Sequence, residues 1–459
     1  MSNARSTPGR GLWAELRAML RLAVPVVTVQ VGLMFMGVVD TVMVGRVSAQ
    51  AIAAVAMGNL YFFGAAVFGM GLLLALDPVI AQAVGAGDAP AVARGVQRGL
   101  LLAGVLGLVA IVLLLPAGPL LRLLRQPADV VPAAAAYARI CAIGILPFYV
   151  FIVLRQSLQA MHRVAPIVWT IVLANLGNVV LNWIFIFGHF GLPAGGAVGA
   201  AWATQIGRWM MPALLYALAR GDLAPSLSPW RPETRDAASL RRMVALGAPI
   251  GIQHQLEYGV FAVAGVMMGW IGTVAMAGHQ VALNLASLTF MVPLGVSGAT
   301  AVLVGNAVGR GDSAEARSAA LAGLLCGVAF MACTALVMLV VPGTLARIYT
   351  TDVAVAAVAA TLLPIAGVFQ VFDGMQVVSI GILRGVGDTR TPMLVNILGF
   401  WLVGLPVSWA LGLRLDYGPP GLWWGLTLGL IVVAVFLVFR ARTRLAGDIR
   451  RLVIDHPGG

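Results

Sequence analysis

Of 459 residues, 60% are hydrophobic and only 10% charged, whereas an ordinary soluble domain carries roughly 25% charged residues. That much apolar surface, with a mean hydropathy of +0.96, cannot be hidden inside a water-soluble body of this size, so the solvent is lipid. The formal net charge of +12 does not indicate nucleic acid: all 29 basic residues are Arg, set in short clusters between long apolar runs, a pattern of membrane topology. Cys141, Cys326 and Cys333 lie in apolar stretches without CxxC or Cys/His spacing, which supports neither a disulfide framework nor a zinc site.

A helix that crosses the hydrocarbon core needs about 20 apolar residues. Twelve such stretches follow in chain order: 18–45, 52–83, 98–117, 131–155, 164–188, 196–219, 243–268, 275–303, 318–341, 353–383, 391–413 and 420–440. Arg5 and Arg10 precede the first in a short polar leader without a small-residue cleavage site, so helix 1 reads as a retained span. Residues 1–219 then form an N-terminal lobe, 220–242 a polar linker with Pro225, Pro229 and Pro232, 243–440 a C-terminal lobe and 441–459 a tail. An even number of spans puts both termini on one side. The termini, the linker and the loops on their side hold 22 Arg, against 5 in the opposite loops at 46, 122, 125, 347 and 414. The positive-inside rule makes that side cytoplasmic.

The two halves repeat each other. Pro25 returns as Pro249, Val42-Met43-Val44-Gly45 as Val266-Met267-Met268-Gly269, and Val84-Gly85-Ala86-Gly87-Asp88 as Val308-Gly309-Arg310-Gly311-Asp312, each 224 residues later. Six spans per repeat is an even number, so the halves have parallel topology and are related by an axis along the membrane normal. The fold class expected is all-α integral membrane, twelve transmembrane helices in two six-helix lobes around a cleft. In each Gly-x-Gly-Asp turn, glycine permits a positive φ and aspartate can cap the next helix; a phosphate cradle would need more glycines and a following Lys. Pro25 and Pro249 read as helix kinks.

An ionisable group inside the membrane costs about 3 kcal/mol on insertion scales and is by default a functional hypothesis. Asp40 in helix 1 lies about 9 Å from the outer end, Glu257 in helix 7 about 22 Å from Arg242, and Asp373 in helix 10 about 16 Å from Arg384. Asp77 reads as a brace at the inner end of helix 2. Arg208 in helix 6 is the one deep base expected. Asn175, Asn178 and Asn182 share one stripe of helix 5, either as glue between helices or as support for Asp40. His279 reads as a satisfied structural residue, and Gln280 as a candidate for the cleft wall.

Leu22-Ala23-Val24-Pro25, Val39-Asp40-Thr41-Val42-Met43-Val44-Gly45, Gly278-His279-Gln280-Val281 and Leu383-Arg384-Gly385-Val386-Gly387-Asp388-Thr389-Arg390-Thr391-Pro392 together resemble the MATE family, multidrug and toxic compound extrusion transporters, of NorM type. The resemblance runs from about residue 14 to 440. It implies a secondary active transporter, not an enzyme, that exports small organic cations in antiport with H⁺ or Na⁺ by alternating access. No other cofactor is implied. Asp40, Glu257, Asp373, Asn178 and Asn182 then carry coupling, with Na⁺ at Glu257 and Asp373 as one form of it. Gln280 and Asp352, with Asp373 and Glu257, match positions that contact substrate. Phe369 stands where a Tyr is frequent, which withdraws one oxygen ligand and tilts the expected coupling ion toward H⁺. The expected setting is a bacterial cytoplasmic membrane, as a monomer in the bilayer. Two other readings stay open: a flippase for lipid-linked precursors, which would want basic residues in the cleft, and an integral-membrane enzyme, whose clustered chemistry the sequence lacks.

Overall fold

The chain folds almost wholly as helices in the computed structural model, which describes residues 12–123, 126, 129–447 and 449–455. Arg5, Arg10, Arg125 and His456 lie outside the described residues. Helix α1 is Leu12–Gly45, α2 Ala49–Leu73, α3 Leu76–Gly85, α4 Ala89–Leu114, α5 Ala117–Leu123, α6 Val131–Ile143, α7 Ile145–Ala160, α8 Ala165–Phe187, α9 Gly196–Leu218 and α10 Arg220–Leu227. The second repeat contains α11 Ala237–Ile271, α12 Thr273–Arg310, α13 Ser313–Val340, α14 Pro342–Tyr349, α15 Val353–Gly385, α16 Arg390–Asn396, α17 Leu405–Trp409 and α18 Gly418–Ala446. Between α16 and α18 the helix widens into π turns over Ile397–Gly404 and Ala410–Arg414, irregularities that often mark functional or closely packed places.

Among the described residues nine helices are long and apolar enough to cross a membrane, with α2 and α3 taken as one, and α6 with α7 make a tenth span bent by 48°. The remaining two of the twelve are α9 and α11, of 23 and 35 residues. They fall short in apolarity because α9 carries Thr204, Gln205 and Arg208, and α11 carries Gln253, His254, Gln255 and Glu257. Polar groups at such positions are expensive, so the two least apolar spans are where function is to be sought.

Helix ends follow local chemistry. Ser48 caps α2 by accepting from the Ala51 N–H at 3.0 Å, Asp312 caps α13 from the Glu315 N–H at 2.8 Å, and Gly87 and Gly311 take φ of +69° and +76°, as the repeated Gly-x-Gly-Asp turn requires. Pro25 and Pro249 sit inside unbroken helices.

Contacts divide the described chain into two units. The first holds the residues up to Val27, Asp77–Asp88 and Gly259–Val453; the second holds Thr28–Leu76, Ala89–Tyr258 and the residues from Ile454. Each repeat thus lends the start of its first long helix to the unit built mainly from the other repeat. In the first unit α12, α13, α15 and α18 pack side by side, and α3 crosses α12 where a Cβ on Gly85 would collide with the Asn306 carbonyl and one on Gly309 with the Gln82 carbonyl. The crossing is reciprocal, since Gly309 and Asn306 are Gly85 and Gln82 displaced by 224. In the second unit α8 packs on α9, and α6 on α2, around a core that includes Phe151, Leu158, Ile171, Met211 and Leu215.

Candidate functional site

Asp40 is a carboxylate 4% exposed in the apolar helix α1. Its second-unit neighbours meet it with three donors. Asn178 Nδ2 lies 3.0 Å and Asn182 Nδ2 2.5 Å from Oδ1, and Thr204 Oγ1 donates to Oδ2 at 3.0 Å. Asn182 also donates to Asn178 Oδ1 at 3.1 Å. One turn of α8 separates the two amides, which puts both on the face turned to α1. Asn175 stands apart from this work: it donates to the Gly32 and Ile171 carbonyls and acts as glue between helices. The Asn stripe on α8 therefore divides into two roles.

Thr204 was missed by sequence reasoning. A single Thr in an apolar helix normally bonds its own backbone, and this one does so as well, to the Ala200 carbonyl at 2.9 Å. The signal that could have found it is its place one turn before Arg208 in a span of low apolarity.

Arg208 is 8% exposed and lies with its guanidinium carbon 3.8 Å from the Phe62 ring centroid and 5.5 Å from that of Phe148. Nη1 donates to Gln205 Oε1 at 3.3 Å. The charge is held by aromatic faces and an amide. Gly144, at the break between α6 and α7, has no room for a Cβ because Gln205 Oε1 occupies that place. The bend between α6 and α7 and the seat of Arg208 thus depend on the same missing atom.

Arg208 is not the only deep base. Arg384, 6% exposed, places Nε 3.1 Å from Asp77 Oδ2, and Asp77 is fully buried. This corrects the expectation of one deep base and gives Asp77 its bracing role between α3 and α15. Arg384 was counted from sequence with a cytoplasmic loop, but α15 runs on to Gly385 and takes it into the packed interior.

Of the other expected residues, Glu257 is half-buried in the second unit and accepts from Gln253 Nε2 at 3.2 Å. Asp373 is half-buried in the first unit. Sequence reasoning put these two acids in one lobe; they fall in different units. One turn before Asp373, Gln370 is fully buried, donates to Thr289 Oγ1 and to the Ala286 carbonyl, and accepts from Thr334 Oγ1 at 3.2 Å. It ties α12, α13 and α15 together below Asp373, a role the sequence analysis did not identify. Phe369 is packed edge-on between Phe261 and Trp423. Trp423 Nε1 donates to His279 Nδ1 at 3.1 Å, which makes His279 the satisfied structural residue expected and puts its ring proton on Nε2. Gln280 is exposed. Asp352 caps α15, with Oδ1 accepting from the Ala354 and Val355 N–H groups at 2.8 and 3.1 Å.

A model of one family, MatE, matches residues 25–184 and again 249–410. The two matches begin at the repeated prolines, 224 residues apart, so the family's unit occurs twice in the sequence. The chain belongs to the MatE family. Its relatives include the multidrug resistance protein MdtK of Edwardsiella ictaluri (strain 93-146), 37% identical over 441 residues that cover 94% of this chain and 96% of that one. The MatE fold is shared with solved structures of about 20% identity. A eukaryotic MATE transporter, AtDTX14, superposes with a TM-score of 0.87 over 95% of this chain and all of that one. The Vibrio cholerae MATE transporter VcmN in its bent form gives 0.84 over 95% and 98%. A MOP superfamily transporter from Pyrococcus furiosus gives 0.81 over 96% and 99%. The twelve-helix, two-lobe architecture is that of MATE transporters, and this MatE chain is a multi-pass membrane protein.

Proposed function

We propose that this protein is a multidrug efflux transporter that moves small organic cations out of the cytoplasm by alternating access, as a monomer in a bacterial inner membrane, and returns H⁺ in exchange. The observation that carries this reading is Asp40, a buried carboxylate in an apolar span whose hydrogen bonds come from two amides and a hydroxyl. A structural acid at that depth would be paired, as Asp77 is with Arg384. The hydrogen-bond partners of Asp40 are instead neutral, and they can let go and reform as a cation arrives or leaves. Asp373 and Glu257 supply further negative charge for a cationic substrate, with Gln280 and Asp352 as candidate outer contacts. Since a coupling ion and a cationic drug both neutralise the same acids, binding of one disfavours the other, and that negative coupling is exchange.

The surroundings of Asp40 favour H⁺ over Na⁺. A Na⁺ ion needs several oxygens at fixed geometry, and the groups nearest Asp40 present hydrogens; Asn178 Oδ1 is engaged by Asn182. Asn182 Oδ1, buried and without a hydrogen bond, is one oxygen that a Na⁺ could take. Phe369 withdraws a hydroxyl from the neighbourhood of Asp373. The test is ethidium movement in proteoliposomes under an imposed pH gradient without Na⁺, then under a Na⁺ gradient at equal pH on both sides. Wild-type protein should work in the first and not the second, and Asp40→Asn should abolish movement while the protein stays folded and inserted. Transport driven by Na⁺ alone overturns the H⁺ reading; full transport by Asp40→Asn overturns the site.

A further inference from the structure

The second unit buries a cation as well as an anion. Arg208 stands near the middle of α9, and a charge at that depth is by default functional. Its guanidinium rests on the Phe62 ring and its hydrogen bond goes to a neutral group: Nη1 donates to Gln205 Oε1, while Gln205 Nε2 donates to Cys141 Sγ at 3.3 Å. Among the described residues Arg208 forms no ion pair. One turn earlier on the same helix, Thr204 Oγ1 donates to Asp40 Oδ2, so Asp40 and the stem of Arg208 meet one face of α9. The titratable groups that this charge reaches are Asp40 of α1 and Tyr137 and Cys141 of α6. Filling the break at Gly144 explains the Gln205 amide there; it gives no reason for a full charge beside it.

We propose that Arg208 sets the ion specificity of Asp40: its fixed positive charge keeps Na⁺ off a cluster of oxygens that would otherwise accept it. This rests on the reading of Asp40 as the acid that exchanges a proton. The cluster has the makings of a cation site, since Asp40 supplies two oxygens, Asn178 and Thr204 one each, and Asn182 Oδ1 is buried without a hydrogen bond. With Asp40 ionised, the carboxylate and the guanidinium together carry no net charge. A monovalent cation that enters leaves one positive charge uncompensated in a medium of low dielectric. A proton meets the same repulsion, but it forms an O–H bond and needs a single oxygen. Na⁺ has only ion–dipole contacts to offset the repulsion, and it must turn the Asn178, Asn182 and Thr204 donors away from Asp40 to gain them. At the effective dielectric of a protein interior, a like charge roughly 10 Å from a cation weakens its binding by about tenfold. The aromatic seat of Phe62 and Phe148 holds the guanidinium without cancelling its charge. A carboxylate partner, such as Asp77 gives Arg384, would cancel it and end the exclusion.

The experiment measures equilibrium binding of radioactive Na⁺ to the purified full chain in detergent, at one alkaline pH and constant ionic strength, with an Asp40→Asn partner for every variant. Na⁺ bound by a chain and not by its Asp40→Asn partner is the Na⁺ held at Asp40, whatever binds at Asp373 or Glu257. Wild type should hold none there, and Arg208→Lys, which keeps the charge, should behave as wild type. Arg208→Gln removes the charge, and Gln205→Glu cancels it in place by giving Arg208 a carboxylate. Each should gain one saturable, Asp40-dependent Na⁺, bound about tenfold more tightly than by wild type or better. A merely structural Arg208 would leave this difference at zero throughout. Should Arg208→Gln fail to fold, Gln205→Glu, which changes no side-chain size, carries the decision. Na⁺ held at Asp40 by wild type or by Arg208→Lys overturns the proposal, and so does a folded neutralised variant that holds none. In proteoliposomes, wild-type ethidium movement driven by Na⁺ alone sinks the H⁺ reading, while the binding difference still decides the role of Arg208.

Discussion

Asp77 and Asp40 are both buried acids in apolar helices, and their partners separate their roles. Asp77 faces Arg384, a fixed charge, and removing one member of a buried pair leaves the other uncompensated, at a cost of about 3–5 kcal/mol. Asp77→Asn should therefore lower the unfolding temperature of the purified protein markedly, and the double variant Asp77→Asn, Arg384→Met should recover much of the loss. A double variant less stable than the single one would refute the brace. Asp40 has no fixed charge among its hydrogen-bond partners, so Asp40→Asn should cost function and little stability. Outside the membrane, Asp455 of the C-terminal tail docks on Arg94 Nε at 2.7 Å and Arg98 Nη1 at 2.6 Å. Burial works to raise its carboxyl, but the hydrogen bonds and charges of Arg98 and Arg94 outweigh it and hold it below its ordinary value of 3.8. The ionised form is the docked form, so docking is at full strength above that value and is lost as pH falls through the lower value of the docked state. Asp236, the other acid under the influence of Arg98, is also held low, by the Ser239 hydroxyl and N–H. Tail protection in hydrogen exchange, corrected for intrinsic rates, should accordingly be flat from pH 8 to 5 and decline only below 3.8; a decline near neutrality would contradict the assignment.

At the scale of elements, close crossings decide what the helices can do. Gly85 and Gly309 face backbone carbonyls that cannot move aside as a flexible side chain could. Overpacking a tight core costs about 1–3 kcal/mol or more, so Gly85→Ala and Gly309→Ala should each reduce the yield of folded protein, and by similar amounts because the crossing is reciprocal. Gly37 in α1 has nothing within 4 Å of its would-be Cβ, and Gly37→Ala should be neutral or stabilise by up to about 1 kcal/mol. Equal behaviour of all three in a thermal-stability assay would remove the crossing as an explanation. The break between α6 and α7 shows the same logic, where Gly144 leaves room for Gln205 and Arg208.

For the whole molecule, the linker and the tail meet at one end of α4. Gln97, fully buried, donates to the Ser226 and Pro229 carbonyls and accepts from Thr234 Oγ1 and the Arg231 N–H, one residue before Arg98, which holds Asp455. With Arg384 set aside, 21 Arg remain on that side against 5, and the linker and the tail should both be cytoplasmic. In a variant with Cys326 and Cys333 replaced, a cysteine at position 230 should react with an impermeant maleimide only after cells are permeabilised. Labelling of intact cells would invert the topology.

Composition, repeat and span length determined the membrane class and the twelve helices, because each is a property of long stretches in which lipid leaves the backbone no alternative to helix, while the resemblance to the family was carried by short motifs such as Val39-Asp40-Thr41-Val42-Met43-Val44-Gly45. The acids could be picked out singly for the same reason, since any charge in an apolar run is conspicuous. Asn178 and Asn182 could be suggested as support for Asp40, but the remaining partners were not legible. Thr204, 164 residues from Asp40, and Arg384, 307 residues from Asp77, come to their acids through packing between distant helices. Nor could the sequence tell that each repeat lends the start of its first helix to the other unit: Gly295 packs against Val27, and Gly247 and Gly251 against Leu72 and Phe68, and sequence alone does not distinguish such glycines from one that faces open space, as Gly37 does.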